Sequence, residues 1–269
     1  MGVVTWMNIK FEYLPKLDKT YFISFSNVED AIEPTYAIQR LSIGNECLIL
    51  NKLNTAIMLA EKWPEDFETL YRALPEWLFI LVLSGGPRRP EEKLEYEEEA
   101  LAEVSSQFPR IVEIQQAIPG AIGVEKRLPS MLRQPWPKEK TYWKHLFRGG
   151  CQDLFFITKL EYVPQFIMAA NQVAAELDYP LDEIGCYIQP IEQGRACRCE
   201  FNFYYNPDKP DEVERVRQLY EQAAKLLLNM DALFTQPYGI LADLVYDRAT
   251  SYTVMLKKIK HLFDPNNIM

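Results

Sequence analysis

The sequence is poor in histidine: only His145 and His261 occur in 269 residues. Neither has a partner at helical or zinc-finger spacing, so a histidine-built metal centre is excluded and the expected set of metal ligands is none. The five cysteines (Cys47, Cys151, Cys186, Cys197 and Cys199) make an odd count without a Cys-x-x-Cys pair. That usage points to reduced thiols in a cytoplasmic protein. Cys197 and Cys199 share one face of an alternating segment, too far apart for a disulfide. Long apolar runs are missing too. The longest clean one, residues 77–83, has seven residues, against the roughly 20 a membrane helix needs. Residues 1–10 lack the charged-then-apolar order of a secretory leader. Glycine is scarce, and neither Gly-x-Gly-x-x-Gly nor Gly-x-x-x-x-Gly-Lys-[Ser/Thr] occurs. Gly85-Gly86 runs into Pro87-Arg88-Arg89-Pro90 and reads as a turn. Positive charge is in deficit, with a net charge of −9, which argues against nucleic acid or an anionic membrane as partner.

What is present is globular: 48% hydrophobic and 25% charged residues, enough chain to bury a sizeable core. Alternation predicts strands over residues 3–13 and 20–26, with Leu17-Asp18-Lys19 as a hairpin link. A helix capped by Ser26 or Asn27 runs to about Leu41. A short strand at 47–50 and helical patches at 56–61 and 65–72 follow, then a central strand at 76–83, apolar on both faces. Pro90, with Glu91 and Glu92 behind it, opens a helix whose acidic face is solvated. From 111 to 144 the pattern fades among Pro119, Gly120, Gly123, Pro129, Pro135 and Pro137, with Trp136, Tyr142 and Trp143 between them. So long an irregular stretch is expected to cover a substrate.

The rhythm then repeats: strand 151–159, helix 163–177, strands 185–191 and 195–205 joined by a tight turn, helix 210–229, an extended piece at 232–235 and a last helix at about 249–263. The expected fold is α+β, one domain over 1–269, an antiparallel sheet covered by helices on one side, built as two fused ferredoxin-like units.

Two stretches carry a resemblance. Gly2-Val3-Val4-Thr5 at the start is similar to the crossing from the FAD domain into the cap domain in flavoproteins of the vanillyl-alcohol oxidase and 4-cresol dehydrogenase family. Phe263-Asp264-Pro265-Asn266-Asn267-Ile268 resembles that family's closing run. Leu154-Phe155-Phe156, residues 194–206 and 234–246 sit between them at family-like spacing. The resemblance implies a substrate-binding cap that roofs a flavin held by a separate FAD-binding domain or subunit. A small organic substrate, an alcohol, hydroxy acid or aromatic, would give hydride to that flavin. Where covalent members place a flavin-bonded histidine, this chain has Asp153, so its FAD would be non-covalent. Where phenol oxidisers place a Tyr-Arg pair and a Thr-His, it has Leu233-Phe234 and Thr235-Gln236. The run Phe234-Thr235-Gln236-Pro237-Tyr238-Gly239 is closer to another subgroup.

On the strand 195–205, Cys197, Cys199, Phe201 and Phe203 form a core-like face; Arg198 and Glu200 lie on the other, open to a pocket or to solvent. Tyr187 and Gln189 share a face of the neighbouring strand. With Trp143 and Tyr238 these are the candidate substrate-pocket residues, and Arg198 would suit a carboxylate. Asp153, Asn266 and Asn267 are candidate flavin-side residues, carried by the resemblance alone. No catalytic group is assigned. A homodimer is compatible with the sequence, and the competing reading is a stand-alone α+β ligand-binding or regulatory module without flavin. An exposed apolar patch around residues 136–143 would favour the flavoenzyme reading.

Overall fold

A computed structural model describes residues 6–9, 11, 13–109 and 111–268. The first half runs β1 (Leu17–Phe25), α1 (Ile32–Arg40), β2 (Glu46–Asn51), α2 (Lys52–Leu59), α3 (Glu65–Ala73), β3 (Trp77–Gly85), α4 (Pro90–Gln107), β4 (Ile114–Gln115) and α5 (Val124–Arg133). The second runs β5 (Gly150–Thr158), α6 (Val163–Glu176), β6 (Ile184–Ile191), β7 (Ala196–Tyr205), α7 (Pro210–Asn229), α8 (Ile240–Arg248) and α9 (Thr250–Phe263). The strands make one seven-stranded sheet in the order β4-β1-β3-β2-β6-β7-β5, antiparallel throughout. The repetition in the sequence is therefore a repetition of topology: β4-β1-β3-β2 and β6-β7-β5 are the same arrangement turned end to end. In the second half the fourth strand shrinks to a single bridge, Ile157 to Leu233.

Strand alternation sorts side chains into two cores. Tyr21, Ile23, Phe79, Leu81, Cys197, Cys199, Phe201 and Phe203 face α1, α4, α6 and α7, so the two longest helices, α4 and α7, lie on one side. Phe22, Leu48, Leu50, Leu78, Ile80 and Tyr204 face the other way, under α2, α3 and α5. The two halves meet at a short seam where β2 pairs with β6 through Ile49–Ile188 and Leu50–Tyr187. Asn51 bolts it, donating to the Ile184 carbonyl at 2.8 Å and accepting from the Cys186 amide at 2.9 Å. Gly185 beside it leaves room for Asn54: a Cβ there would lie 2.1 Å from Asn54 Oδ1.

Besides adding α8 and the short β4, the structure departs from the sequence reading in three places. Of the expected first strand, residues 3–5, 10 and 12 lie outside the described residues, and Trp6–Ile9, Phe11 and Tyr13 form no strand and are exposed. β1, the expected hairpin partner, pairs instead with β3 along its whole length and with β4 at Phe22 and Ile23, both strands from later in the chain. Leu17-Asp18-Lys19 is not a hairpin link but the start of β1, in register with Gly85, Ser84 and Leu83.

The third departure lies in the stretch 111–144, which contains α5 despite Pro129 inside it. A proline there removes the amide that would bond the carbonyl four residues back. Thr20 supplies the missing donor: its Oγ1 gives a 2.8 Å hydrogen bond to the Glu125 carbonyl, and Thr20 is buried. Thr20→Val is expected to cost about 1–2 kcal/mol in chemical denaturation, the penalty of an orphaned buried carbonyl. In a Pro129→Ala background the restored amide takes over and most of that cost vanishes. An equal cost in both backgrounds would refute the compensation.

Candidate substrate pocket

On the face opposite the long helices, β5, β6 and β7 present residues in lateral register: Asp153 beside Asn202, Tyr187 beside Glu200, and Gln189 beside Arg198. With Lys144, Trp143, Tyr142, Trp136 and residues of α2 and α5 they enclose a cleft of about 500 Å³. The sequence reading placed Trp143, Tyr187, Gln189, Arg198 and Glu200 in a pocket and Asp153 on a flavin side; the structure brings all six to this one cleft.

Its floor is a closed polar network. Lys144 donates to Asp153 Oδ2 at 2.8 Å and to Glu200 Oε1. The Asn202 amide reaches Asp153 Oδ1 at 2.6 Å and Glu200 Oε1 at 2.9 Å. Asn202 Oδ1 in turn accepts from Asn54 at 2.6 Å, and Asn54 Oδ1 from the Tyr204 hydroxyl at 2.7 Å. Arg198 Nη2 closes on Glu200 Oε2 at 2.9 Å, while its guanidinium carbon sits 4.3 Å from the centre of the Phe155 ring.

Burial and pairing set the charges. Burial alone pushes the Lys144 ammonium toward neutrality, but Glu200 and Asp153 outweigh it and hold Lys144 above the ordinary lysine range. Burial likewise raises Glu200, and Lys144, Asn202 and Arg198 more than reverse this, leaving it below the usual carboxylate value. Burial, with Glu200 nearby, pushes the Tyr187 phenol up to about 12. At neutral pH the cleft therefore offers the charges of Lys144 and Glu200 together with hydrogen-bond donors. Arg198 has spare donor capacity: its Nε and Nη1 have no protein partner among the described residues.

The other candidates lie elsewhere. Tyr238 sits between α7 and α8, half exposed, hydrogen-bonded to Tyr220 of α7, and is not among the cleft's lining residues. Asn266 and Asn267 are exposed in the turn after α9, where Asn267 adopts a positive φ of 53°. The expected apolar patch at 136–143 is partly folded in: Trp143 is buried, Trp136 half-buried, and Tyr142 is the exposed member of the three aromatics. Sequence reasoning missed Lys144 and Asn54. Each is a single polar residue whose partners are brought in from elsewhere in the chain, and no local pattern marks it.

No protein-family model matches the sequence, and no curated protein matches it. The fold does find relatives. The chain has the fold of one part of several solved enzymes. Among solved structures, 4-ethylphenol oxidase from Gulosibacter chungangensis in complex with isoeugenol superposes with a TM-score of 0.71 at 13% identity, over 95% of this chain and 53% of that one. Substrate-bound p-cresol methylhydroxylase gives 0.69 at 14% identity, over 94% of this chain and 52% of that one. Alkyldihydroxyacetonephosphate synthase gives 0.55 at 11% identity, over 93% and 44%. The chain thus spans about half the length of these proteins, and at such identity the likeness is one of fold.

Proposed function

We propose that this chain is the substrate-binding half of an FAD-dependent oxidoreductase and works with an FAD-binding domain or subunit. The observation that carries this reading is the charged, aromatic-walled cleft built on β5, β6 and β7 of a fold shared with half of such enzymes. The described residues do not fit a whole flavin dinucleotide. Gly85 leads to an acidic helix start at Glu91 and Glu92, which repels a pyrophosphate, and in the cleft Glu200 and Asp153 repel so highly charged a group beside the one free edge of Arg198. FAD is accordingly assigned to the partner, where it would accept hydride from a substrate carbon; this chain binds and orients that substrate.

A partner surface is at hand. α9 buries none of its residues, and Tyr252, Val254, Met255, Leu262 and Phe263 are all exposed on it. Apolar exposure of this kind supports a docking role. The tagged chain, purified from its source cells, is expected to bring a flavoprotein with it, visible as bound flavin absorbance. Met255→Lys with Phe263→Lys should release the flavin without lowering the chain's own melting temperature. A tagged chain that carries no flavin, or an isolated chain that binds FAD tightly by itself, would overturn the proposal.

A further inference from the structure

The polar cleft has a neighbour of different chemistry. A second cleft of about 460 Å³ lies against it, and the two share Met58, Met131, Gln134 and Trp136 as a common wall. Beyond that wall the lining is largely apolar, from Leu59, Trp63, Pro135 and Leu146. The partition is made of side chains able to move. Two are unbranched thioethers, which repack at little cost. Trp136 is held by one 3.1 Å hydrogen bond to the Thr141 carbonyl and an edge contact to Tyr142 at 5.8 Å.

On the polar side, the charged groups differ in what they have left to give. Lys144 is committed to two carboxylates and buried. Glu200 and Asp153 repel anions. Arg198 alone combines a free edge with a fixed plane, stacked on Phe155 and braced by Glu200. A planar fork of this kind pairs with a carboxylate through two parallel hydrogen bonds.

We propose that the two clefts form one substrate site in two parts: Arg198 takes the carboxylate of an organic acid, and its apolar end passes Met58 and Met131 into the second cleft. The substrate class is a monocarboxylate with an apolar chain or ring. A second anionic group near the first would meet Glu200 and Asp153. At the far end Arg127 is already paired with Glu61, which leaves Lys140 as the one cation without an ion pair, among the described residues, in an otherwise largely apolar lining. This deepens the flavoenzyme reading and rests on it for the reaction, but the binding site belongs to this chain.

The test is a titration of the whole chain with straight-chain carboxylates from butanoate to decanoate, followed by calorimetry. Affinity is expected to climb about fourfold per added methylene once the tail reaches the second cleft, the increment for burying a methylene. Arg198→Gln lowers the whole series about tenfold or more, with its slope unchanged. Ser130→Trp, at an exposed α5 position lining the second cleft, flattens the slope and spares the short acids. A wild-type series independent of length, or primary alcohols binding as tightly as the acids, would overturn the proposal. None of these titrations needs flavin. A length-dependent series from a chain that recruits no flavoprotein would reject the flavoenzyme reading and keep the two-part site; a flat series in a flavoprotein complex would do the reverse.

Discussion

Glu200→Ala is expected to lower the melting temperature by on the order of 10 °C, the largest effect of any single substitution in the cleft. Glu200 is 5% exposed and Lys144 8%, so the pair is desolvated already, and removing one partner strands the other. Lys144 would keep only Asp153, whose side chain is 33% exposed, while Arg198 and Asn202 each lose an acceptor. Breaking such a pair costs about 3–5 kcal/mol, mostly the penalty of a buried charge left behind. The pH dependence follows from the directions of the shifts. Glu200 titrates lower in the folded chain, so its contribution is present above the unfolded carboxylate value, about 4.3, and is lost as pH falls through the depressed folded value. Lys144 titrates higher, so its contribution is complete below about 10.4 and is lost as pH rises through the raised value. Melting curves from pH 3 to 11 should show both flanks shallower in Glu200→Ala than in wild type. Parallel curves would mean the network contributes nothing to folding.

Arg133→Met is expected to produce the second-largest loss, and to weaken the substrate site from a distance. Arg133 ends α5 and reaches across to the sheet: Nε and Nη2 meet Glu46 at 2.5 and 2.8 Å, Nη1 and Nη2 meet Asp18 at 2.9 and 3.0 Å, and Nη2 also meets Ser84 at 2.9 Å. Both carboxylates lie on strands of the first half, β1 and β2. Without the guanidinium they face each other unneutralised. All three side chains keep roughly a fifth to a quarter of their exposure, so solvent screening trims the cost to about 2 kcal/mol. Arg133 lines neither cleft, yet its neighbours Met131, Leu132 and Gln134 do. Loosening α5 should raise amide exchange across it and weaken binding of the longer carboxylates several-fold. Arg133→Lys should rescue little, since an ammonium cannot fork between two carboxylates. Unchanged exchange in α5 would show that its apolar packing alone holds it.

The parts of this fold legible in the sequence are those where one period dominates. α7 starts and ends where the pattern says, Pro210 to Asn229, because Pro210 suits a first helical turn and the apolar stripe is unbroken. β7 divides into core and cleft faces by simple alternation, which is how Arg198 and Glu200 were identifiable at all. Where a tertiary contact overrides a local rule, the sequence misleads: Pro129 argues against α5 until Thr20 is seen under it. Residues 6–9 alternate like a strand, but β1, their expected partner, pairs with β3 and β4 instead. The cleft follows the same division. Its strand-borne members were readable, whereas Lys144 and Asn54 gain their meaning only from side chains 9 to 150 positions away. Of the residues carried by resemblance alone, Asp153 lies in the cleft while Asn266 and Asn267 lie apart from it, as does Tyr238.

The seam between β2 and β6 also divides responsibility for the site. Charge recognition resides in the second half, on β6 and β7, and in the segment leading into β5; the apolar walls come from α2, α5 and the stretch after them. Neither half supplies the whole cavity. Which head group is read and how large a body is accommodated are therefore two separate traits, set by side chains on opposite sides of the seam.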